Sequence, residues 1–217
     1  MAGELEETNF VLLLGASGSG KSSVVRAGLI PSFIQDENSL INLTFTPDQD
    51  PFESLYGSLL GNYSQQEAQI ARKSEADTLI QVVEKLKQSD SYWFIFIDQF
   101  EELFTITPPD KRDKFIKSLL KLANAKFASV KIVATMRADF FDKLGNYSKL
   151  VKATKKHRPM IAQMDSDELR LAIEQPAAHH GVVFETGLVE EITKDVQGQA
   201  GYLALMQYTL NLLWEEE

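Results

Sequence analysis

The stretch that decides the fold is "NFVLLLGASGSGKSS", Asn9 to Ser23. Gly15 and Gly20 are separated by four residues and followed by Lys21 and Ser22, the spacing of a phosphate-binding loop. Glycines let the backbone curl so that successive N–H groups point inward at phosphate oxygens. The helix that follows adds the positive end of its dipole. Lys21 is then expected against the β- and γ-phosphates of a nucleotide, and the Ser22 hydroxyl on Mg²⁺. A plain Gly/Ser turn between two elements is the competing reading. The flanks argue against it: Phe10 to Leu14 reads as a buried strand and "SSVVRAGLI" as a short helix with apolar spacing, the order the motif requires.

Outward from the loop the periodicity alternates. "INLTFT" (Ile41 to Thr46) reads as a strand and "DPFESLYGSLLGNY" as a helix beginning near Pro51. "ADTLIQVVEKLKQ" is helical, and "YWFIFID" is a strongly apolar strand. "PDKRDKFIKSLLKLANAKF" places Phe115, Leu119, Leu122 and Ala123 on one helical face. "VKIVATM" is another buried strand and "RPMIAQM" a weaker fifth. Strands with nearly continuous apolar runs, separated by helices, predict an α/β sandwich of three layers around a five-stranded parallel sheet. After Met164 the pattern is helical only. "DSDELRLAIEQPAAHHG" opens on a capping box, Asp165 with Glu168, and ends at Gly181; "TGLVEEITKDVQG" and "GYLALMQYTLNLLWEEE" are two further helices. The expected organisation is an α/β core over 1–164 and a small all-helical lid over 165–217.

Three sets of residues carry the chemistry. Asp98 ends an apolar strand and can hold Mg²⁺ through water while Ser22 ligates it directly. An extra strand between the loop and this acid separates the chain from simple nucleotide kinases. Gln99 follows Asp98 and cannot take a proton, although a glutamine can position water. Glu101 and Glu102 are the acids available to orient or deprotonate an attacking water, and geometry must choose between them. Thr135 and Arg137 sit at the C-terminal end of a buried strand, where ligands gather in open parallel sheets. Arg137 is expected to reach a γ-phosphate; the alternative is an ion pair with Asp139 or Asp142. Arg26, inside the helix after the loop, reads as an ion-pair residue.

Composition narrows the classes. The 217 residues are 44% hydrophobic, enough to bury a core, and no run is long and apolar enough to span a membrane. The opening "MAGELEETNF" is unlike a secretory signal, so a cytoplasmic address is expected. A net charge of −9 argues against nucleic acid as a partner, and "KATKKHR" (Lys152 to Arg158) reads as a solvated helix end. Without cysteine there are no thiolate metal sites, and His157, His179 and His180 lack zinc-site spacing.

Taken together, "GASGSGKSSVVRAGLIPSF", "FIDQFEELFT", "ATMRADFFDKL", "IEQPAAHHGVVFE" and "GYLALMQYTLNLLWE" resemble the STAND class of P-loop signal-transduction ATPases, in particular the bacterial novel STAND NTPase, type one. The resemblance runs from about Asn9 to Trp214. It implies a switch that holds ADP at rest, exchanges it for ATP, self-associates and hydrolyses ATP slowly with Mg²⁺. It also implies sensor repeats of the WD40 kind and effector domains outside these residues, which would make the chain an excised core. By that likeness Gly15, Gly18, Ser19, Gly20, Lys21, Ser22 and Ser23 cradle phosphate, Asp98 holds Mg²⁺, and Arg137 senses the nucleotide. Two departures concern the base: Ala204 stands where relatives carry a proline, and only nine residues precede Phe10, where relatives have a longer base-lining segment. The alternatives to a switch are a nucleotide or small-molecule kinase, and a nucleotide-binding scaffold that does not hydrolyse.

Overall fold

The computed structural model describes residues 2–36, 39–125, 127, 129–199 and 201–215. The apolar run opening the decisive stretch forms β1 (Phe10–Gly15), buried at all six positions. It is followed by β2 (Leu40–Phe45), β3 (Tyr92–Ile97), β4 (Val130–Arg137) and β5 (Met160–Ile161). The strands make one parallel sheet in the order β2-β3-β4-β1-β5. β2, the strand between the loop and Asp98 in sequence, lies at the sheet edge, and β4 is the strand that separates β1 from the Asp98 strand β3 in the sheet. The largely apolar runs of β1, β3 and β4, the last broken only by half-buried Lys131 and by Thr135 before it ends on Arg137, follow from their central places, since a parallel sheet is covered on both faces. β2 lies at an edge, and only Leu43 and Phe45 of its six residues are buried. The fifth strand is two residues long. It begins where the Leu12 and Leu14 N–H groups donate to the His157 and Pro159 carbonyls.

The chain divides into two compact units, one of residues 1–14 and 21–160, the other of residues 15–20 and 161–217. In the first, helix Pro51–Leu59 begins with proline at its first position, and Asp50 caps it by accepting from the Phe52 and Glu53 N–H groups. Helix Pro109–Asn124 buries Phe115, Ile116, Leu119 and Leu122, with Ala123 partly buried beside them. The Phe115 ring meets Phe52 edge-on at 5.5 Å. Trp93, Phe94 and Phe96 of β3 are also fully buried.

The expected short helix after the loop is longer and irregular. It runs as α-helix Lys21–Ser23, widens to a π-helix over Val24–Leu29, and returns to α-helix over Ile30–Asp36. The Ile30 N–H reaches back five residues to the Val25 carbonyl. Pro31 follows immediately; it has no N–H for the ordinary four-residue bond, and its ring crowds the carbonyl four residues back.

The second unit has the three expected helices, Ser166–His179, Leu188–Val196 and Tyr202–Glu215, with Glu216 and Glu217 outside the described residues. The capping box is present: the Asp165 carboxylate accepts from the Glu168 N–H, and Glu168 accepts from the Asp165 N–H. Leu169, Ile173, Val189, Ile192, Val196, Tyr202 and Met206 form its core. Trp214 stays half-exposed with its ring edge against His180 at 5.6 Å. Among the described residues no helix is long and apolar enough to cross a membrane.

Candidate nucleotide and metal site

The parallel register explains why residues far apart in sequence meet. Ile97 of β3 is level with Ala134 of β4, so the residues that follow them, Asp98 and Thr135, are brought side by side at the C-terminal end of the sheet. Both are buried. Thr135 Oγ1 donates to Asp98 Oδ1 at 2.6 Å. Ser22 Oγ, from the helix start, donates to the same oxygen at 2.7 Å, and the Gln99 N–H donates to it at 3.1 Å. Gln99 has a positive φ of 52°, which lets its N–H turn back toward the carboxylate while its side chain stays exposed. The other oxygen, Oδ2, accepts from Arg26 Nη2 at 3.2 Å.

A second group of charges forms around Lys21. This lysine is buried, and burial holds its pKa below the ordinary value of 10.5; the Glu101 carboxylate is the chief influence in the other direction. Glu101 is buried as well, and the loss of solvation raises its pKa above the usual 4.5 although Lys21 and Arg137 pull it back. Its Oε2 accepts the Arg137 backbone N–H at 3.2 Å. The Arg137 guanidinium forms a fork with Asp139, Nε to Oδ1 at 3.1 Å and Nη2 to Oδ2 at 2.6 Å, and lies over the Phe140 ring.

Glu102 is elsewhere. It opens the short helix Glu102–Thr105, and its Oε2 accepts the Asp48 N–H at 2.9 Å, tying down the turn before helix Pro51–Leu59. The two adjacent glutamates therefore do different things, and Glu101 is the one beside Lys21 and Arg137.

The loop itself, Gly15–Gly20, belongs to the second unit. Gly18 and Gly20 have φ of +69° and +80°, open to glycine and strained for other residues. A Cβ on Gly18 would lie 2.6 Å from the Cα of Gly201, at the head of the last helix. Ser19 is buried, and its hydroxyl has no hydrogen-bond partner among the described residues. Ser23 is exposed. The loop runs from the end of β1 to the helix that starts at Lys21.

The donor set suits a hard cation. Ser22 and Asp98 offer a hydroxyl and a carboxylate oxygen in hydrogen-bond contact, and no cluster of three or more His, Cys, Asp or Glu occurs among the described residues. That is the sparse, oxygen-only set used by Mg²⁺, which keeps water and substrate phosphates in most of its positions.

Two residues carry more than the sequence disclosed. Thr135 was legible as a strand-end residue, but its bond to Asp98 depends on the β3–β4 register. Arg26 read as an ion-pair residue without a partner; its partner is 72 positions away.

The model of one family, novel STAND NTPase 1, matches residues 1–217. Among solved structures, the Walker-type ATPase of Pyrococcus abyssi is similar with a TM-score of 0.64 and 14% identity, over 100% of this chain and 66% of that one. Cdc6p from Pyrobaculum aerophilum gives 0.62 and 16% over 94% of this chain and 54% of that one. AMPPCP-bound DnaA from Aquifex aeolicus gives 0.59 and 12%, covering 98% and 58%. At such identities the likeness establishes the fold, and the chain spans between half and two thirds of these proteins. No curated protein matches the sequence.

Proposed function

The chain belongs to the novel STAND NTPase 1 family, and from that premise we propose that it is the nucleotide-controlled core of a larger signalling protein, binding ATP and ADP and hydrolysing ATP slowly with Mg²⁺. The observation that carries the reading is the contact of Ser22 Oγ with Asp98 Oδ1, which joins the residue after the loop lysine to the acid at the end of β3.

In this reading Gly15 to Ser23 cradle the phosphates, with the Ser19 hydroxyl, which has no hydrogen-bond partner among the described residues, as one more donor. Lys21 faces the β- and γ-phosphates, and its burial strengthens that attraction by excluding water. Ser22 and Asp98 hold Mg²⁺, which would supply charge neutralisation at the β- and γ-oxygens. Glu101 orients the attacking water and accepts its proton, for which a pKa raised above the usual carboxylate range is an advantage. Arg137 exchanges Asp139 for the γ-phosphate and so distinguishes ATP from ADP. AMPPCP-bound DnaA offers a precedent for a triphosphate analogue on a similar fold. Self-association and coupling to sensor and effector regions complete the proposal.

Calorimetric titration with ATP and ADP in Mg²⁺ tests it. Lys21→Ala should abolish binding of both nucleotides, and Arg137→Ala should weaken ATP more than ADP. Unchanged affinity in Lys21→Ala refutes the phosphate site, and equal losses in Arg137→Ala remove the sensor role.

A further inference from the structure

We propose that Arg26 is a built-in counter-cation for Asp98, which neutralises the acid in the metal-free state and must leave it when a hydrated Mg²⁺ binds. The inference rests on the proposed metal role of Ser22 and Asp98. Asp98 has little contact with water, its side chain being 7% exposed, and a buried carboxylate without a cation is costly. One of its oxygens is taken by three donors that carry no net charge: Ser22, Thr135 and the Gln99 N–H. The remaining oxygen, Oδ2, is held by Arg26, while Lys21 is a second positive charge that attracts the carboxylate.

Those three donors are compatible with a bound cation. A serine hydroxyl can donate its proton to Asp98 and still offer a lone pair to a metal. Arg26 is not compatible. Two cations on one carboxylate repel, and a guanidinium on Oδ2 occupies the oxygen that water of the metal's shell would use. Arg26 is placed to withdraw, because its side chain is 56% exposed and only one of its nitrogens bonds Asp98. Its guanidinium is 5.6 Å from the centre of the Phe96 ring, which gives it a second, weaker attachment. Its position also lies inside the π-helical turn Val24–Leu29, a local irregularity common at functional sites. Arg26 therefore competes with metal for Asp98 and raises the Mg²⁺ concentration at which nucleotide is bound with metal.

The test is a Mg²⁺ titration of fluorescent ADP bound to the chain, for the parent, Arg26→Gln and Arg26→Lys. The Gln variant should reach half-saturation at about fivefold lower Mg²⁺, the scale of one partly exposed ion pair, and the Lys variant should remain near the parent. Without metal or nucleotide, Arg26→Gln should melt below the parent, and Mg²⁺ alone should narrow that gap. An unchanged or higher midpoint in Arg26→Gln, with the parent and a Ser22→Ala control showing metal dependence through Ser22, overturns the counter-cation role alone. A parent whose ADP binding ignores Mg²⁺, or a Ser22→Ala variant with unaltered metal dependence, overturns the metal site and this inference together.

Discussion

Replacing Thr135 with valine removes one hydroxyl and leaves the shape nearly unchanged, so its effect isolates the bond to Asp98. Thr135 is 1% exposed, and its Oγ1 both donates to Asp98 Oδ1 at 2.6 Å and accepts from the Gln99 N–H at 3.2 Å. A hydrogen bond to a charged group contributes roughly 1.5–3 kcal/mol. The lower figure applies here, because Ser22, Gln99 and Arg26 continue to bond the carboxylate. For a chain of this length each kcal/mol moves the melting temperature by about 2–4 °C, so Thr135→Val should melt about 3–6 °C lower. Thr135→Ser keeps the hydroxyl and loses one buried methyl, worth about 0.8 kcal/mol. The two variants part company in metal binding. With valine, Asp98 loses the group that fixes its orientation, and the Mg²⁺ midpoint for ADP binding should rise severalfold. With serine it should hold. Melting curves and a Mg²⁺ titration of both variants provide the check. A valine variant that melts within about a degree of the parent and binds Mg²⁺–ADP equally well would refute the claim that Thr135 positions Asp98.

Glu101 and Gly18 can be tested in the same way. Burial raises the Glu101 pKa, so the ionised base accumulates only above the usual carboxylate range; ATP turnover should climb with pH through that raised value. Glu101→Gln should abolish this limb and slow turnover by about 10²–10⁴-fold, whereas Glu102→Gln, bonded to Asp48, should stay within a few-fold of the parent. The stability effect has the opposite sense: a carboxyl whose folded pKa is raised costs stability as pH rises from its unfolded to its folded value, so Glu101→Gln should be no less stable than the parent at pH 7. Gly18→Ala combines an unfavourable φ of +69°, costing about 1 kcal/mol, with a Cβ 2.6 Å from backbone at Gly201. It should reduce nucleotide affinity at least tenfold and lower the melting temperature; an alanine variant that binds ATP like the parent would show that the loop can shift at no cost.

What the sequence disclosed and what it withheld have physical causes. β1, β3 and β4 were legible because strands buried on both faces are mostly apolar, and Asp98 and Arg137 stand out as the charges that end the β3 and β4 runs. The glycine loop was legible because the positive φ at Gly18 and Gly20 is open to glycine and strained for other residues. Choosing between Glu101 and Glu102 was impossible from spacing, since neighbouring residues differ only in the direction the chain turns after Gln99, at φ 52°. The π-helical turn was hidden for a similar reason: it depends on where the Ile30 N–H finds a carbonyl, not on apolar period. Arg26 and Asp98 are joined by the fold alone. The Arg137–Asp139 pair, only two residues apart, was visible in advance as one of two alternatives.

That pair bears directly on how the proposed switch would discriminate nucleotides. Arg137 and Asp139 are both substantially exposed, so water screens their attraction and opening the fork costs little. In the proposed binding mode a γ-phosphate beside Lys21 would offer more negative charge in a drier place, and the guanidinium fork suits phosphate oxygens as well as carboxylate. The exchange is biased further by Glu101. Its carboxylate holds the Arg137 backbone N–H, so the residue's main chain stays anchored while the side chain changes partner. Loss of the γ-phosphate on hydrolysis would return Arg137 to Asp139 without unfolding anything. Asp139→Asn tests the idea without touching the proposed phosphate contacts. It frees Arg137 from its resting partner, so the preference for ATP over ADP should increase while ADP affinity stays near the parent's. A preference that remains unchanged would mean that Asp139 does not compete for Arg137, and that discrimination lies with Lys21 and the loop.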